Sequence, residues 1–336
     1  KLFLSQDSSS WFRGCWSSLG APAMEQPPAK RSREEPAQAG KAGVYEGTNG
    51  VPRAGTPGRV LHLGLADGEL AARVVAVGHH ARAELLAKFL EPEQPGGSVF
   101  RLASDRGFLT FTGTYMGTRV SIVSVGMGLA MMDFFAREAR AVVKGPMAVV
   151  RLGTCGCLKK SVPVGSICVA TEGSILVQRN ISAFAGSREP KEEDLNGDHP
   201  YLISEPCLSD RVLSAAVLDS LQRDLGAGMA LGGLNVTADS FYGSQGRLDH
   251  RFVDANRGLI AEVLRRHPGV VTMEMETFQL LHLAQSCRPM GDMRAAAAVV
   301  IVANRSTGEV VSEEALKAAE RNGGSAILRA LVGLPL

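Results

Sequence analysis

No run of about 18 apolar residues occurs anywhere in the 336-residue chain, so it holds no candidate membrane span. Charge bias is missing too. The 36 Lys and Arg against 34 Asp and Glu leave a formal +2, which calls for neither a nucleic-acid backbone nor an anionic membrane as partner. The six cysteines (Cys15, Cys155, Cys157, Cys168, Cys207 and Cys287) form no CxxC pair and no disulfide-like framework. Reduced thiols and a cytoplasmic location are the expectation. Aromatics are scarce at 5%, so a core must come from small and branched aliphatics, which suits a sheet covered by helices.

The chain begins with Lys1, and its first methionine is Met24. Ala21-Pro22-Ala23 looks faintly like a signal-peptidase site, but Ser8, Ser9 and Ser10 stand where the apolar region should be. A fragment, or leader sequence ahead of a start at Met24, is the expectation. Residues 1–58 are rich in Ser, Pro, Ala, Gly and charge without period, and read as a disordered tail. Its basic cluster Lys30, Arg31, Arg33 is diluted by Glu34 and Glu35.

Residues 59–336 read as a single domain in which strands and helices interleave. Strands are expected over Arg73–Gly78, Arg119–Gly126, Met147–Gly153, Gly165–Val177, Met229–Thr237, Val270–Met275 and Ala295–Ala303. Helices are expected over Ala83–Leu90 and Leu129–Val143, and from Asp210, Thr277 and Glu313, the last with Ser312 as N-cap. This alternation predicts an α/β sandwich. The long polar loop Arg179–Leu208 contains Asp194-x-Asn196-x-Asp198, a calcium-like spacing; His199 and Pro200 replace its turn geometry, so it reads as a solvated acidic loop.

Four clusters carry chemistry. Arg151-Leu152-Gly153-Thr154-Cys155-Gly156 ends an apolar strand, where small residues let backbone amides approach an anion and Arg151 and Thr154 complete the site. Gly78-His79-His80-Ala81-Arg82 is a turn opening a helix, whose positive end favours phosphate. Phe241-Tyr242-Gly243-Ser244-Gln245-Gly246-Arg247 is read as an extended loop that aims Gln245 and Arg247 the same way. An amide that donates and accepts, beside a guanidinium that only donates, matches the edge of a pyrimidine dione. Met273-Glu274-Met275-Glu276 places two carboxylates in an apolar stretch, where sugar hydroxyls are suitable partners; an acid/base pair or a helix-terminal carboxylate is the rival reading. Gly126-Met127-Gly128 reads as a tight strand-to-helix turn, since the third glycine of a dinucleotide motif is Met131.

In this order the four clusters resemble the nucleoside phosphorylase-I family, most closely its uridine phosphorylase branch, from His62-Leu63-Gly64-Leu65 to near the C-terminus. The resemblance implies a three-layer α/β/α sandwich around a mixed, partly barrel-like central sheet. It implies phosphate held by Gly78, Arg82, Arg151 and Thr154, with Arg106 reaching in from a neighbouring subunit. Ribose would be held by Met275 and Glu276, with His62 from that neighbour. The base would lie at Phe241, Gln245 and Arg247, with Val300 to Val302 as apolar contacts. The implied substrates are uridine and inorganic phosphate, with no organic cofactor and no metal, in a homo-oligomer that is at least a dimer.

Three departures stand out. Relatives usually read Gly-Asp-Pro-x-Arg where this chain has His79 and His80; Gly107 replaces an acid linked to a cation site in bacterial relatives; and Leu129-Ala130-Met131 replaces Gly-Gly-Pro-Ser after the Gly-x-Gly. Purine-specific relatives carry an Asp after the late strand, whereas Val302 to Thr307 here holds no carboxylate. A purine phosphorylase or hydrolase, and a nucleoside-binding module without catalysis, are the alternatives.

Overall fold

The computed structural model describes residues 42–184, 199–289 and 291–336. The sequence around Met24, the basic cluster at 30–33 and the Asp194–Asp198 spacing lie outside them. From the N-terminal side run α1 (Ala42–Tyr45), β1 (Arg73–Val77), α2 (His80–Ala87), β2 (Phe100–Ala103), β3 (Leu109–Tyr115) and β4 (Thr118–Ser124). Then come α3 (Leu129–Val142), β5 (Met147–Cys157), β6 (Ile167–Val169), β7 (Ser174–Arg179), β8 (Tyr201–Ile203) and α4 (Arg211–Leu225). The order closes with β9 (Ala230–Gly232), β10 (Leu234–Ala238), α5 (Leu259–Arg266), β11 (Val270–Glu274), α6 (Thr277–Ser286), β12 (Met293–Asn304) and α7 (Glu313–Val332).

Alternation along the central strands generates the layers. On β1, Val75 and Val77 join a core formed with α2, α4 and α7, whereas Val74 and Ala76 face α3 and α6. β5 and β12 divide the same way: Val150, Leu152 and Ala298 on one side, Met147, Val149 and Ala295 on the other. The result is the expected three-layer α/β/α sandwich around a mixed sheet, and this sheet does not close. It branches at β5. The first part of that strand runs parallel to β1, β12 runs parallel along its length, and its end pairs antiparallel with β11, Met273 facing Gly156. The C-terminal ends of β1 and β11 therefore meet near the middle of β5. Asp210 and Ser312 cap α4 and α7, accepting from Leu213 N–H at 2.7 Å and Ala315 N–H at 3.2 Å. Among the described residues no helix is long and apolar enough to cross a membrane.

Residues 42–58, read above as part of the tail, belong to the domain. Val44 is buried, and Arg53 N–H returns to the Val44 carbonyl at 2.9 Å. The Tyr45 hydroxyl accepts from Leu61 N–H at 2.7 Å and donates to Glu138 at 3.1 Å. Buried Glu138 on α3 also accepts from Leu63 N–H at 2.8 Å. Composition missed this because one buried valine and one polar pin are enough to dock a short segment. Tyr45→Phe removes a donor and an acceptor from that junction. We expect a loss of about 1–2 kcal/mol in denaturant unfolding; unchanged stability would show that the pin contributes nothing.

Candidate active site

Arg151 is the centre of the site. It is 5% exposed, in mid-β5, and its guanidinium is flanked by Glu274 at the end of β11 and by Glu276 just beyond. Nη2 donates to Glu276. Nη1 lies 3.0 Å from Glu274 Oε2 but is not aligned to donate, so this buried nitrogen has a charge contact and no hydrogen-bond acceptor. Burial opposes the guanidinium charge; Glu274 and Glu276 outweigh it and hold Arg151 above its usual range.

The two carboxylates are not equivalent. Glu274 accepts from Asn235 Nδ2 at 2.8 Å, Thr237 Oγ1 at 2.7 Å and the N–H groups of Glu276 and Thr277 at 2.9 and 3.0 Å. Burial works against its charge, but Arg151 and then the Thr237 and Asn235 donors keep it below the ordinary carboxylate range. Saturated by protein donors, Glu274 has no capacity left for sugar hydroxyls, and of the two carboxylates only Glu276 keeps free acceptor sites. Glu276 accepts from Gly128 N–H at 2.6 Å, which gives the Gly126–Gly128 turn a purpose. Burial, and then the adjacent Glu274, push Glu276 up against the pull of Arg151.

Gly153 leaves the space that the arginine fills. A Cβ built there would lie 2.0 Å from Arg151 Nη1. Thr154 and Met275 are half-buried beside this cluster, and Gly78 sits at the end of β1 with Arg82 Nη1 3.8 Å from where its Cβ would be. Arg82 donates from Nη1 to the Leu152 carbonyl at 3.1 Å and pairs with Glu320 of α7. The helix expected from Ala83 starts at His80, because His79 Nδ1 caps it by accepting from Arg82 N–H at 3.2 Å. Burial, then the Arg82 cation, hold His79 below the ordinary imidazole range, in the neutral form that this cap requires.

The loop Phe241–Arg247 is not extended. It folds into a turn in which Gly246 N–H bonds to Gly243 O at 2.9 Å and Arg247 N–H to Tyr242 O at 3.0 Å. The turn still brings the expected pair together: Arg247 Nη1 donates to Gln245 Oε1 at 2.5 Å and to Phe241 O at 2.7 Å. The guanidinium stacks 3.8 Å over the Phe241 ring, which is 48% exposed, while Gln245 is 3% exposed. Two ties join this loop to Arg151. Thr237, four residues before Phe241, donates to Glu274. Arg305, just past β12, lowers the Arg247 pKa as a second cause after burial, and its Nη1 lies 3.4 Å from Sδ of Met273, the neighbour of Glu274. Among the described residues neither Arg247 nor Arg305 forms an ion pair with a carboxylate.

Sequence reading missed Arg305 as a site residue, although the late stretch was singled out for lacking an acid. Asn304 does not face a ligand: its amide donates to the Lys159 and Val162 carbonyls at 3.0 and 2.9 Å. Val300 is buried, while Val302 is the extra residue of a bulge in the pairing with β5. His62 and Arg106 are not brought to this cluster. His62 is stacked on Phe134, six residues along α3 from Gly128, with Nδ1 2.7 Å from Glu138. Arg106 is exposed in the β2–β3 turn, whose Gly107 carbonyl lies 3.0 Å from His80 Nε2.

Gly153→Ala must displace a buried guanidinium from two carboxylates, and we expect a loss of about 3–5 kcal/mol, as for a broken buried ion pair. Gly156→Ala meets only the flexible Arg305 Cδ, at 3.0 Å, and should cost about 1 kcal/mol. Thermal and denaturant melts of the two proteins check the order; equal losses would remove the special role given to Gly153.

A model of the phosphorylase superfamily matches residues 72–332. A solved structure from a study of two uridine phosphorylases of the oomycete Phytophthora capsici is 42% identical, with a TM-score of 0.78 over 86% of this chain and 99% of that one. A Trypanosoma brucei nucleoside phosphorylase, described as showing uridine phosphorylase activity, shares the fold at 23% identity and a TM-score of 0.65, over 84% of this chain and all of its own. Among curated relatives, the DeoD-type purine nucleoside phosphorylase of Geobacillus kaustophilus is 28% identical over 274 residues, 78% of this chain and 99% of the relative. With the family model spanning most of the chain and the site at the branch of its sheet, this chain belongs to the phosphorylase superfamily, among its nucleoside phosphorylases.

Proposed function

We propose that the chain is a uridine phosphorylase, cleaving uridine with inorganic phosphate to uracil and ribose 1-phosphate. The observation that carries this reading is the Gln245–Arg247 pair with Arg305 beside it, neither arginine ion-paired to a carboxylate among the described residues, together with the lack of an acid in the late stretch Val302 to Thr307. Such a set donates to, and neutralises, a base that leaves as an anion. It offers nothing to protonate a purine N7. The likeness at 42% identity to a structure from work on uridine phosphorylases supports the same choice.

Cleavage of the glycosidic bond builds positive charge on the sugar and negative charge on the departing pyrimidine. Arg247 and Gln245 interact most strongly with the base when its charge is fully developed, so they lower the barrier rather than merely bind substrate. Phosphate, gripped by Gly78, Arg82, Arg151 and Thr154, stabilises the cationic sugar and then captures it at the anomeric carbon. Arg151 Nη1, buried and without an acceptor, is the donor best placed to meet that oxyanion. Glu276 binds ribose hydroxyls, with Met275 packed beneath the ring. No covalent enzyme intermediate, organic cofactor or metal enters the scheme.

Sharing between subunits is part of the proposal. Within one chain His62 is engaged by Phe134 and Glu138, and the partner subunit's His62 and the partner subunit's Arg106 would complete the ribose and phosphate sites of an assembly that is at least a dimer. The purine-phosphorylase relatives make cleavage of inosine the second reading.

Release of uracil from uridine should require phosphate and exceed release of base from inosine; thymidine measures tolerance at the 2′ position and the base methyl. Arg247→Ala should lose about 2–4 kcal/mol in kcat/KM, as for deletion of a preorganised donor. Preferential cleavage of inosine would install the second reading, and tight uridine binding without turnover would indicate a binding module. Arg106→Ala and Arg247→Ala proteins, each poorly active, should regain activity when coassembled. Verified mixed dimers without rescue would rule out the shared site.

A further inference from the structure

Arg82 is buried, yet no residue near it in sequence balances its charge. The partner is Glu320, 238 residues away on α7. Arg82 Nε donates to Glu320 Oε1 at 2.8 Å, and Nη2 lies 2.7 Å from the same oxygen. Nη1 is taken by the Leu152 carbonyl, one residue before Gly153. These three contacts fix both the plane and the depth of the guanidinium. On its other side Nη1 faces the turn, 3.8 Å from where a Cβ of Gly78 would stand. On the solvent side, half-exposed His79 flanks the pair, with Nε2 3.8 Å from Glu320 Oε1 and Nδ1 capping α2.

The reach of Glu320 depends on an unusual feature of α7. Gly323-Gly324 interrupts a helix interior, where glycine is disfavoured. A Cβ at Gly324 would lie 2.1 Å from Leu86 Cδ2, and one at Gly323 would lie 2.4 Å from Ile167 Cδ1. Leu86 is one turn beyond Arg82 on α2, and Gly324 is one turn beyond Glu320 on α7. The close approach at Leu86 and Gly324 therefore carries Glu320 against Arg82 one turn earlier.

We propose that Glu320 is a positioning residue for oxyanion binding, holding the Arg82 guanidinium in the orientation that grips phosphate, and that the Gly323–Gly324 step exists to bring it there. This rests on the phosphate site proposed above. Position and charge make opposite demands on this carboxylate. As a mere counter-charge, Glu320 weakens the pull of Arg82 on an anion, and neutralising it strengthens binding. As a positioning group it is needed for its acceptor oxygen at full reach, and its charge is secondary.

Two variants of the full chain separate these roles. Glu320→Asp keeps the charge and withdraws the oxygen by one methylene; Glu320→Gln keeps an acceptor oxygen at the same reach and removes the charge. KM for phosphate and for uridine, and calorimetric binding of inorganic phosphate without nucleoside, are measured for each, with stability followed by thermal melting. For Glu320→Asp the expected result is a rise of about tenfold in KM for phosphate with KM for uridine within about twofold, and for Glu320→Gln a phosphate KM within about threefold of wild type. Gly324→Ala should reproduce the phosphate-selective loss by pushing α7 off Leu86. Wild-type phosphate affinity in Glu320→Asp with tighter binding in Glu320→Gln would overturn the proposal in favour of a counter-charge. Losses that are equal for both substrates and track the melting temperature would also overturn it, in favour of a purely structural role. Failure of the wild-type protein to bind or use phosphate is a different outcome, and it strikes the phosphorylase reading itself.

Discussion

A guanidinium removed from water in the middle of a sheet must be met by carboxylates, and the arrangement around Arg151 follows from that requirement. Unpaired, such a charge costs several kcal/mol, and removing one partner of a buried pair costs about 3–5 kcal/mol. Glu274 supplies the fixed counter-charge, and it is fixed because Asn235, Thr237 and two backbone N–H groups saturate it. Glu276 supplies a second carboxylate that is only partly satisfied, by Arg151 and Gly128. The branch of the sheet at β5 is what permits this. Only there do the ends of a parallel half and of β11 approach one strand from opposite directions.

The four arginines of the site divide by partner, and the division matches the chemistry proposed for each. Arg82 and Arg151 are buried against carboxylates, so their positions are set before any ligand arrives. Preorganised donors of that kind suit a small, symmetric oxyanion, which has no shape with which to organise a loose site. Arg247 and Arg305 lean instead on a glutamine oxygen, a backbone carbonyl, an aromatic face and a thioether. None of these cancels their charge. An incoming group that becomes negative during reaction gains more from such a pair than from one already neutralised.

Local features were legible in the sequence, and long-range partnerships were not. Asp210 and Ser312 cap the helices expected of them, because a cap is decided within four residues. The apolar runs of β1, β5, β11 and β12 announced buried strands. β2 and β3 were passed over: Phe100–Ala103 is short and alternates in exposure, and Leu109–Tyr115 is diluted by threonine. The carboxylates of the Glu-Met-Glu motif were visible as groups needing partners, yet nothing in the motif says that Glu274 spends its capacity on Asn235 and Thr237 while Glu276 does not. Glu320 was beyond reach for the same reason. Its partner is 238 residues away, and the one local hint, a Gly-Gly step inside a helix, names no recipient.

The supports of the two halves of the site differ in how much they can vary. The residues proposed to hold phosphate and ribose stand on strand ends whose side chains are interlocked, so a change at Gly153, Asn235 or Thr237 propagates into the buried charge cluster. The residues proposed to meet the base stand on a turn at 241–247 and on the segment after the Val302 bulge, where the Asn304 amide holds the backbone by donating to the Lys159 and Val162 carbonyls. Exchange of Arg305 for an acid would leave the Arg151 cluster intact while inverting the charge beside Arg247. In the proposed site, base choice is thus physically separable from phosphate binding, and on that reading the residues after β12 carry more weight in assigning a substrate than the motifs that establish the family.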